Sequence, residues 1–526
     1  MMTIPRFVPV TVLRRYLPAA CCLGMATQAF ADSAPTQWVS QDDQGHLHYQ
    51  ATAKGDTIPD FSCAGYAGGG VALPDVPVKK TVAPAGDDDS GAIQAALDEV
   101  AALPLTNGFR GTVLLSAGTF HCAKPLTLSQ SGIVLRGSGS GDKGTIIEMT
   151  GDPHLCLEIN GKNIARPQLD PSQGIAITDT YVPEGTVSVT VADASSLAAG
   201  DHILIERKFT AAWIHSLGMD TLVRDGKPQT WIHLDQVMTY ERTVRAVDGN
   251  KISFDIPMPD AIDAQLLAPD SAKVFKLGKT VEPRLAQCGI ESLQINSPPP
   301  SGTLTTKNNH AISINNCEDC WVKDVVMRDT LQNIDVLGSA RRVTIEGANA
   351  FHTATVSKGA GYPADYTIRG TQILLDRSSS TGHGSFYVAT ANTESNLNVV
   401  LNCNFYGVDG DGGAIQPHAR WSTALLVDSC NVPDGKIEYI NRGTAGSGHG
   451  WAMSWGVVWN CTAKIFNIQQ PPGAINWCIG CKGAADQKTG LNDGFISFGT
   501  PVLPKSLYLA QLHERLGDVA LKNIGY

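Results

Sequence analysis

Charge is scarce in this chain: Asp, Glu, Lys and Arg together make up 17% of 526 residues, against about a quarter in ordinary globular proteins. That shortage argues against long solvated helices, coiled coils and charge-rich disordered tails. Basic residues are in deficit, 40 against 50 acidic for a net charge of −10, so wholesale neutralisation of nucleic-acid phosphates is not a driving force here. After Phe30 no stretch reaches the ~18 uninterrupted apolar residues of a membrane span. What is present is 43% hydrophobic residues, enough for a large core, and 53 Gly, which favours turns and sheets. The length is awkward for one compact globule but suits an elongated, repetitive domain with an appendage.

The first residues read as an export signal. Arg6, Arg14 and Arg15 precede an apolar run from Leu17 to Phe30, and Ala29-Phe30-Ala31 is a small-x-small cleavage site. Cleavage after Ala31 removes three Arg and no acid, taking the net charge from −10 to −13. The expected product is secreted or periplasmic and has no membrane span. Eleven of the 13 cysteines follow Ala31, an odd number, so at least one is free or pairs between molecules. Cys317-x-x-Cys320 and Cys478-x-x-Cys481 have the spacing of zinc ligand pairs. Their separation along the chain and the exported context favour buried thiols or disulfides.

Residues 32–84 are irregular and rich in Gly and Pro, a segment expected to wrap the surface. Asp87-Asp88-Asp89-Ser90 then caps a short helix whose Ile93, Ala96, Leu97 and Val100 share one face. Four strand-like runs follow: Gly111 to Phe120, Pro125 to Leu128, Gly132 to Gly137 and Gly144 to Glu148. The string Asp-Asp-Ser-x-Ala-Ile-Gln-x-Ala-Leu-Asp, then Gly-Thr-Val-x-x-x-x-Gly-Thr-Phe, then Ile-Val-Leu-Arg-Gly-x-Gly resembles the opening of pectate-lyase superfamily proteins. The resemblance covers 85–150. It implies an all-β fold, a single-stranded right-handed parallel β-helix with an N-terminal capping helix.

The rest of the chain fits that architecture on physical grounds. Short apolar strands such as Ala311 to Cys317, Arg342 to Glu346, Asn398 to Phe405 and Ala424 to Val432 cannot finish a core alone, but stacking them in parallel rungs buries a continuous column. Cys403, Cys430 and Cys461 recur 27 and 31 residues apart, each next to an Asn or Ser, as a structural ladder on successive coils would. Residues 183–280 are punctuated differently, with hairpin-like turns such as Asp248-Gly249-Asn250. They read as a β-rich insertion whose Trp213, His215, Trp231 and His233 overhang a binding cleft. The expected order is 1–31 signal, 32–84 irregular segment, 85–182 cap helix and first coils, 183–280 insertion, and 281–526 main β-helix. About a dozen rungs are expected, with a helix from Leu507 closing the far end.

Chemistry-bearing residues concentrate between 352 and 477, where His and Arg stand among Gly, Pro and Asn at bends between rungs. Pro-His418-x-Arg420-Trp421-Ser and Asn-Arg442-Gly followed by Gly-x-Gly-His449-Gly-Trp451 also resemble motifs of secreted bacterial pectate-lyase-like proteins. That resemblance implies action on carbohydrate. Eliminating a 4-linked uronide needs a base for the C5 proton, a cation for the carboxylate and an acid for the departing oxygen. The candidates are His418 or His449 as base, Arg420 and Arg442 as the clamp, and Lys358 or His383 as acid. Trp421, Trp451 and Trp455 would stack on sugar rings, with Arg377 as a further substrate contact.

The alternatives use the same scaffold. Inverting hydrolysis needs two carboxyl groups roughly 6.5–9.5 Å apart, and Asp409-Gly-Asp411 supplies a pair; the same oxygens suit Ca²⁺. Gly448-His-Gly450 and Asn333-Ile-Asp335 resemble segments of polygalacturonases, although their adjacent Asp-Asp and Arg-x-Lys are missing here. A non-catalytic adhesive β-helix would need aromatic platforms but no His/Arg convergence. In each case the expected partner is a polysaccharide, anionic for the lyase; the sequence specifies no metal.

Overall fold

A computed structural model describes residues 38–162, 169–267, 272–278, 284–300, 307–353, 364–382, 386–486 and 494–526. The signal segment and the candidates Lys358 and His383 lie outside them. The chain folds as a parallel β-helix whose strands form one 29-stranded sheet. Each coil has three faces. In one coil these are Arg341–Glu346, Asn349–Phe351 and Ala364–Ile368, and each pairs in parallel with the next coil's Leu374–Asp376, Ser379–Thr381 and Phe386–Thr390. The ladder starts at Val78–Val82 and ends at Phe495–Ile496.

The bend from face one to face two is made by a single left-handed residue in coil after coil: Ser292, Asp324, Gly347, Arg377, Asn402, Ser429, Asn460 and Gly480, with φ from 44° to 67°. Asn, Asp, Ser and Gly tolerate that conformation best, which is the local reason for the recurring polar residue before each cysteine. Cys403, Cys430, Cys461 and Cys481 follow the bend and return a thiol hydrogen bond to the carbonyl two residues back, at 3.3–3.4 Å. All 11 described cysteines are free and buried, so the ladder is structural and the two CxxC pairs point into the column. Burial raises the thiols of Cys156, Cys288 and Cys481 well above the ordinary range, which keeps them inert.

Helix α1 (Ser90–Ala101) buries Ile93, Ala96, Leu97 and Val100 against the first coils. The acidic run before it stitches more than it caps. Asp89 makes no capping bond and instead accepts the N–H groups of Ala85 and His121 at 3.0 Å.

A second core lies outside face one. Between the second and third coils the chain leaves to build an antiparallel six-stranded sheet that begins at Ile175–Ala176 and ends at Ala272–Lys276, so the insertion opens before residue 183. The hairpin at Asp248-Gly249-Asn250 is present. This sheet, the short helix α2 (Ala211–Ser216), the segment from Trp38 to Ala64 and the C-terminal helices α3 (Leu507–Leu516) and α4 (Asp518–Asn523) all pack on the outer surface of face one. The C-terminal helices therefore do not close the coil as expected. Tyr508 donates to Ala64 O at 2.9 Å and Gln511 to Pro59 O at 2.9 Å, tying them to the N-terminal segment, while Phe495 and Phe498 meet edge-to-face at the last rung.

Candidate functional site

The corner from face three back to face one carries the His/Arg cluster. His418 follows the face-three strand Ala414–Ile415, with its N–H on Thr390 O. Arg442 follows Asn431–Tyr439 on the next coil. The loop after Arg442 is pinched at its neck, Arg442 N–H to Gly450 O at 2.8 Å and Gly450 N–H to Gly443 O at 2.9 Å, and presents His449. Two glycines of this loop are required: a Cβ on Gly446 would stand 2.2 Å from His449 Nε2, and one on Gly450 would strike the Trp231 indole at 2.4 Å.

Arg442 Nη1 donates to His418 Nδ1 at 2.9 Å and to His418 O at 2.9 Å. The His418 and His449 rings lie 4.5 Å apart, with Phe386 edge-on to His418 at 5.5 Å. Arginine has no acceptor, so Nδ1 of His418 accepts and its neutral ring carries the proton on Nε2. Among the described residues no carboxylate bonds either ring. Burial, then Arg442, His449 and Arg420, push His418 down to about 3. Burial, then Arg442, Arg420 and Arg224, push His449 down to about 4. Both rings are neutral at ordinary pH in a field of arginines. His449 Nδ1 is buried with no hydrogen-bond partner.

Several expected assignments are corrected here. Arg420 is no clamp: its Nε donates to Trp231 O at 2.8 Å and its Nη2 to Ser447 Oγ at 2.6 Å, so it fastens the His449 loop to the insertion. Trp421, Trp451 and Trp455 are not sugar platforms. They are 2%, 9% and 2% exposed in the second core, with indole N–H groups committed to Asp260 (Trp421 and Trp455, 2.8 Å each) and Leu217 O (Trp451, 3.2 Å). Trp213 and Trp231 of the insertion stack at 5.4 Å and both meet Trp421 edge-on. Arg377 sits at a different corner, where it pairs with Glu346 and Asp376 at 3.0 Å and donates to Ile524 O; it anchors the C-terminus.

Asp409 and Asp411 flank Gly410 in a tight exposed turn closed by Val408 and Asp411. That turn enters face three, whereas His418 leaves it, so the two carboxylates stand at the opposite end of the strand from the cluster. Among the described residues no three His, Cys, Asp or Glu side chains gather as a metal site would need. Asp335, in the Asn333-Ile-Asp335 segment, is held by Arg369.

Phe386 and Arg369 were given no role by sequence reasoning. Counting rungs from Ile368 to Thr390 to Pro417 would have placed Arg369 at the same corner as His418. The contacts of Trp231 carried no such signal, because the insertion's seating on the coil follows no repeat.

No protein-family model matches this chain, and no curated protein matches it in sequence. Among solved structures it is similar to a tailspike of Acinetobacter baumannii bacteriophage AP22 determined with A. baumannii capsular saccharide (10% identity, TM-score 0.27, 79% of this chain and 71% of that one). It is also similar to the Streptococcus pneumoniae surface adhesin PfbA (11%, TM-score 0.31, 84% of each chain) and to an endo-xylogalacturonan hydrolase of Aspergillus tubingensis (11%, TM-score 0.25, 80% and 93%). At such identities and TM-scores these likenesses carry no argument about what this chain binds or does.

Proposed function

We propose that the protein is an exported enzyme that cleaves a uronate-containing polysaccharide by β-elimination. The observation that carries the reading is the Arg442–His418–His449 contact, two neutral imidazoles and a guanidinium with no carboxylate bonded to the rings. Such a site attracts an anion. A carboxylate on the sugar would take the guanidinium, and the charge that develops on it as the C5 proton leaves would be stabilised there. His449 is the proton acceptor. His418 cannot be: its Nδ1 is engaged by Arg442 and its Nε2 carries a proton, so it donates to the departing oxygen as the C4–O bond breaks. The C5 electron pair becomes the C4=C5 double bond of the product, and the proton held by His449 passes back to His418, whose ring lies 4.5 Å away, so both imidazoles end the cycle neutral. Hydrolysis by Asp409 and Asp411 lacks this support, because the pair stands apart from the cluster.

The export reading rests on the sequence up to Ala31; no helix among the described residues is long and apolar enough to cross a membrane. The full chain incubated with polygalacturonate, alginate and hyaluronan should release products with the near-ultraviolet absorbance of unsaturated ends on at least one of them. New reducing ends without that absorbance would mean hydrolysis. Binding without either would mean an adhesive.

A further inference from the structure

A cavity of about 580 Å³ lies between the insertion sheet and the same corner of the coil. Its insertion wall is set by strand alternation. Along His202–Lys208 and Val237–Asp248, paired antiparallel with Glu206 opposite Thr239, the side chains of Ile205, Arg207, Met238 and Tyr240 are buried in or beside the second core, which leaves Leu204, Glu206, Lys208, Val237 and Thr239 facing the cavity. Phe275 adds an aromatic edge from the neighbouring strand. The opposite wall is the corner itself over three successive coils, through Gly338, Arg369 and Asn392.

Ion pairs hold the walls in place. Glu241 takes Arg284 at 3.0 Å and also Arg341, which reaches Glu318 at 2.6 Å. Burial alone would raise Glu241, but the Arg284 hydrogen bond and the charge of Arg341 hold it down at about 2. These charges pair with one another and tie the insertion to the coil. The cavity offers Leu204 beside Phe275 at one end of the wall, the pair Glu206 and Thr239 in the middle, and Val237 beside Lys208 at the other, with Asn392 opposite. That pattern matches a sugar, whose C–H faces are apolar and whose edges carry hydroxyls.

The cavity ends one coil from His418, on the same corner. Asn392 N–H bonds Ala419 O at 2.9 Å, and Arg369 both lines the cavity and adds to the field at His418. From Gly338 to Arg442 the corner climbs four rung spacings, about 19 Å. We propose that this cavity is a second saccharide subsite, holding hydroxyl-rich residues of the chain whose uronate lies at Arg442. This rests on the elimination reading only for the direction in which the chain runs.

Calorimetric titration of the full chain with polygalacturonate, alginate and hyaluronan tests it. Thr239→Trp, which fills the cavity, should weaken the affinity for whichever polymer binds by at least tenfold, and Lys208→Ala, which adds no bulk, by severalfold. Unchanged affinity in both variants, or no affinity of the wild type for any of the three, overturns the subsite. Weakened binding in both, with no unsaturated product from the wild type, keeps the subsite and removes the elimination.

Discussion

The two surfaces of face one are built from different materials. Inward, Ile, Val, Leu and Cys repeat at one-rung intervals and bury a column in which each coil resembles the next. Outward, the same strands and the residues beside them carry Trp421, Trp455, Trp459 and Trp477, met by Trp38, Trp213 and Trp231 from outside the coil. The inner column needs only stacking, so small repeating side chains suffice. The outer layer must join four non-repeating pieces to a repeating wall, and large rings with one polar handle fill irregular gaps. Asp260 is the junction: it receives Arg207 of the insertion and the indoles of Trp421 and Trp455, each at 2.8 Å. The tryptophan cluster is here the seam between the coil and the insertion.

If the outer layer is a seam, breaking it should cost most. Trp455→Ala empties a large buried volume and leaves Asp260 short of a donor, an expected loss of about 3–5 kcal/mol, and denaturant unfolding should report a separate early transition for the insertion. A single transition at unchanged midpoint would erase the distinction between the two cores. Cys461→Ala, in the inner column, removes one small group from a ladder that continues on both sides. It should cost about 1 kcal/mol and leave a single transition.

The outer layer also holds a carboxyl that sharpens the contrast. Glu184 is fully buried with both oxygens unpartnered, and burial, with Asp56 and Asp260 nearby, pushes it well above the carboxylate range. The folded state therefore keeps a proton that the unfolded chain releases above about pH 4.3, so this contribution to stability is complete at low pH and declines as pH rises towards the folded value. Glu184→Gln should raise the melting temperature at neutral pH and flatten its fall between pH 5 and 8, a smaller effect than the tryptophan change. A lowered melting temperature at neutral pH would show that the site holds a charge.

Much of the coil was legible because its rule is local. A left-handed bend demands Asn, Ser, Asp or Gly at a fixed step, so Asn402-Cys403, Ser429-Cys430 and Asn460-Cys461 announce their equivalence. The tryptophans were not legible, since whether Trp455 faces water or a core depends on what packs outside face one, and nothing in its neighbours encodes the insertion's docking. Arg377 misled because the turn that exposes an arginine looks the same at every corner. His418 was found, but the choice of base between it and His449 stayed open in the sequence, because the tautomer of His418 is set by Arg442, a residue one coil away.

His449→Ala, assayed for unsaturated ends on the uronate polymer that the wild type cleaves, bears most directly on the corner as the site of chemistry. Turnover should fall 10²–10⁴-fold with the melting temperature kept. In the wild type kcat/KM should hold down to pH 5 and drop only as the ring is protonated near pH 4. Turnover unchanged in the variant, or an acid limb centred near pH 6.5, would contradict it.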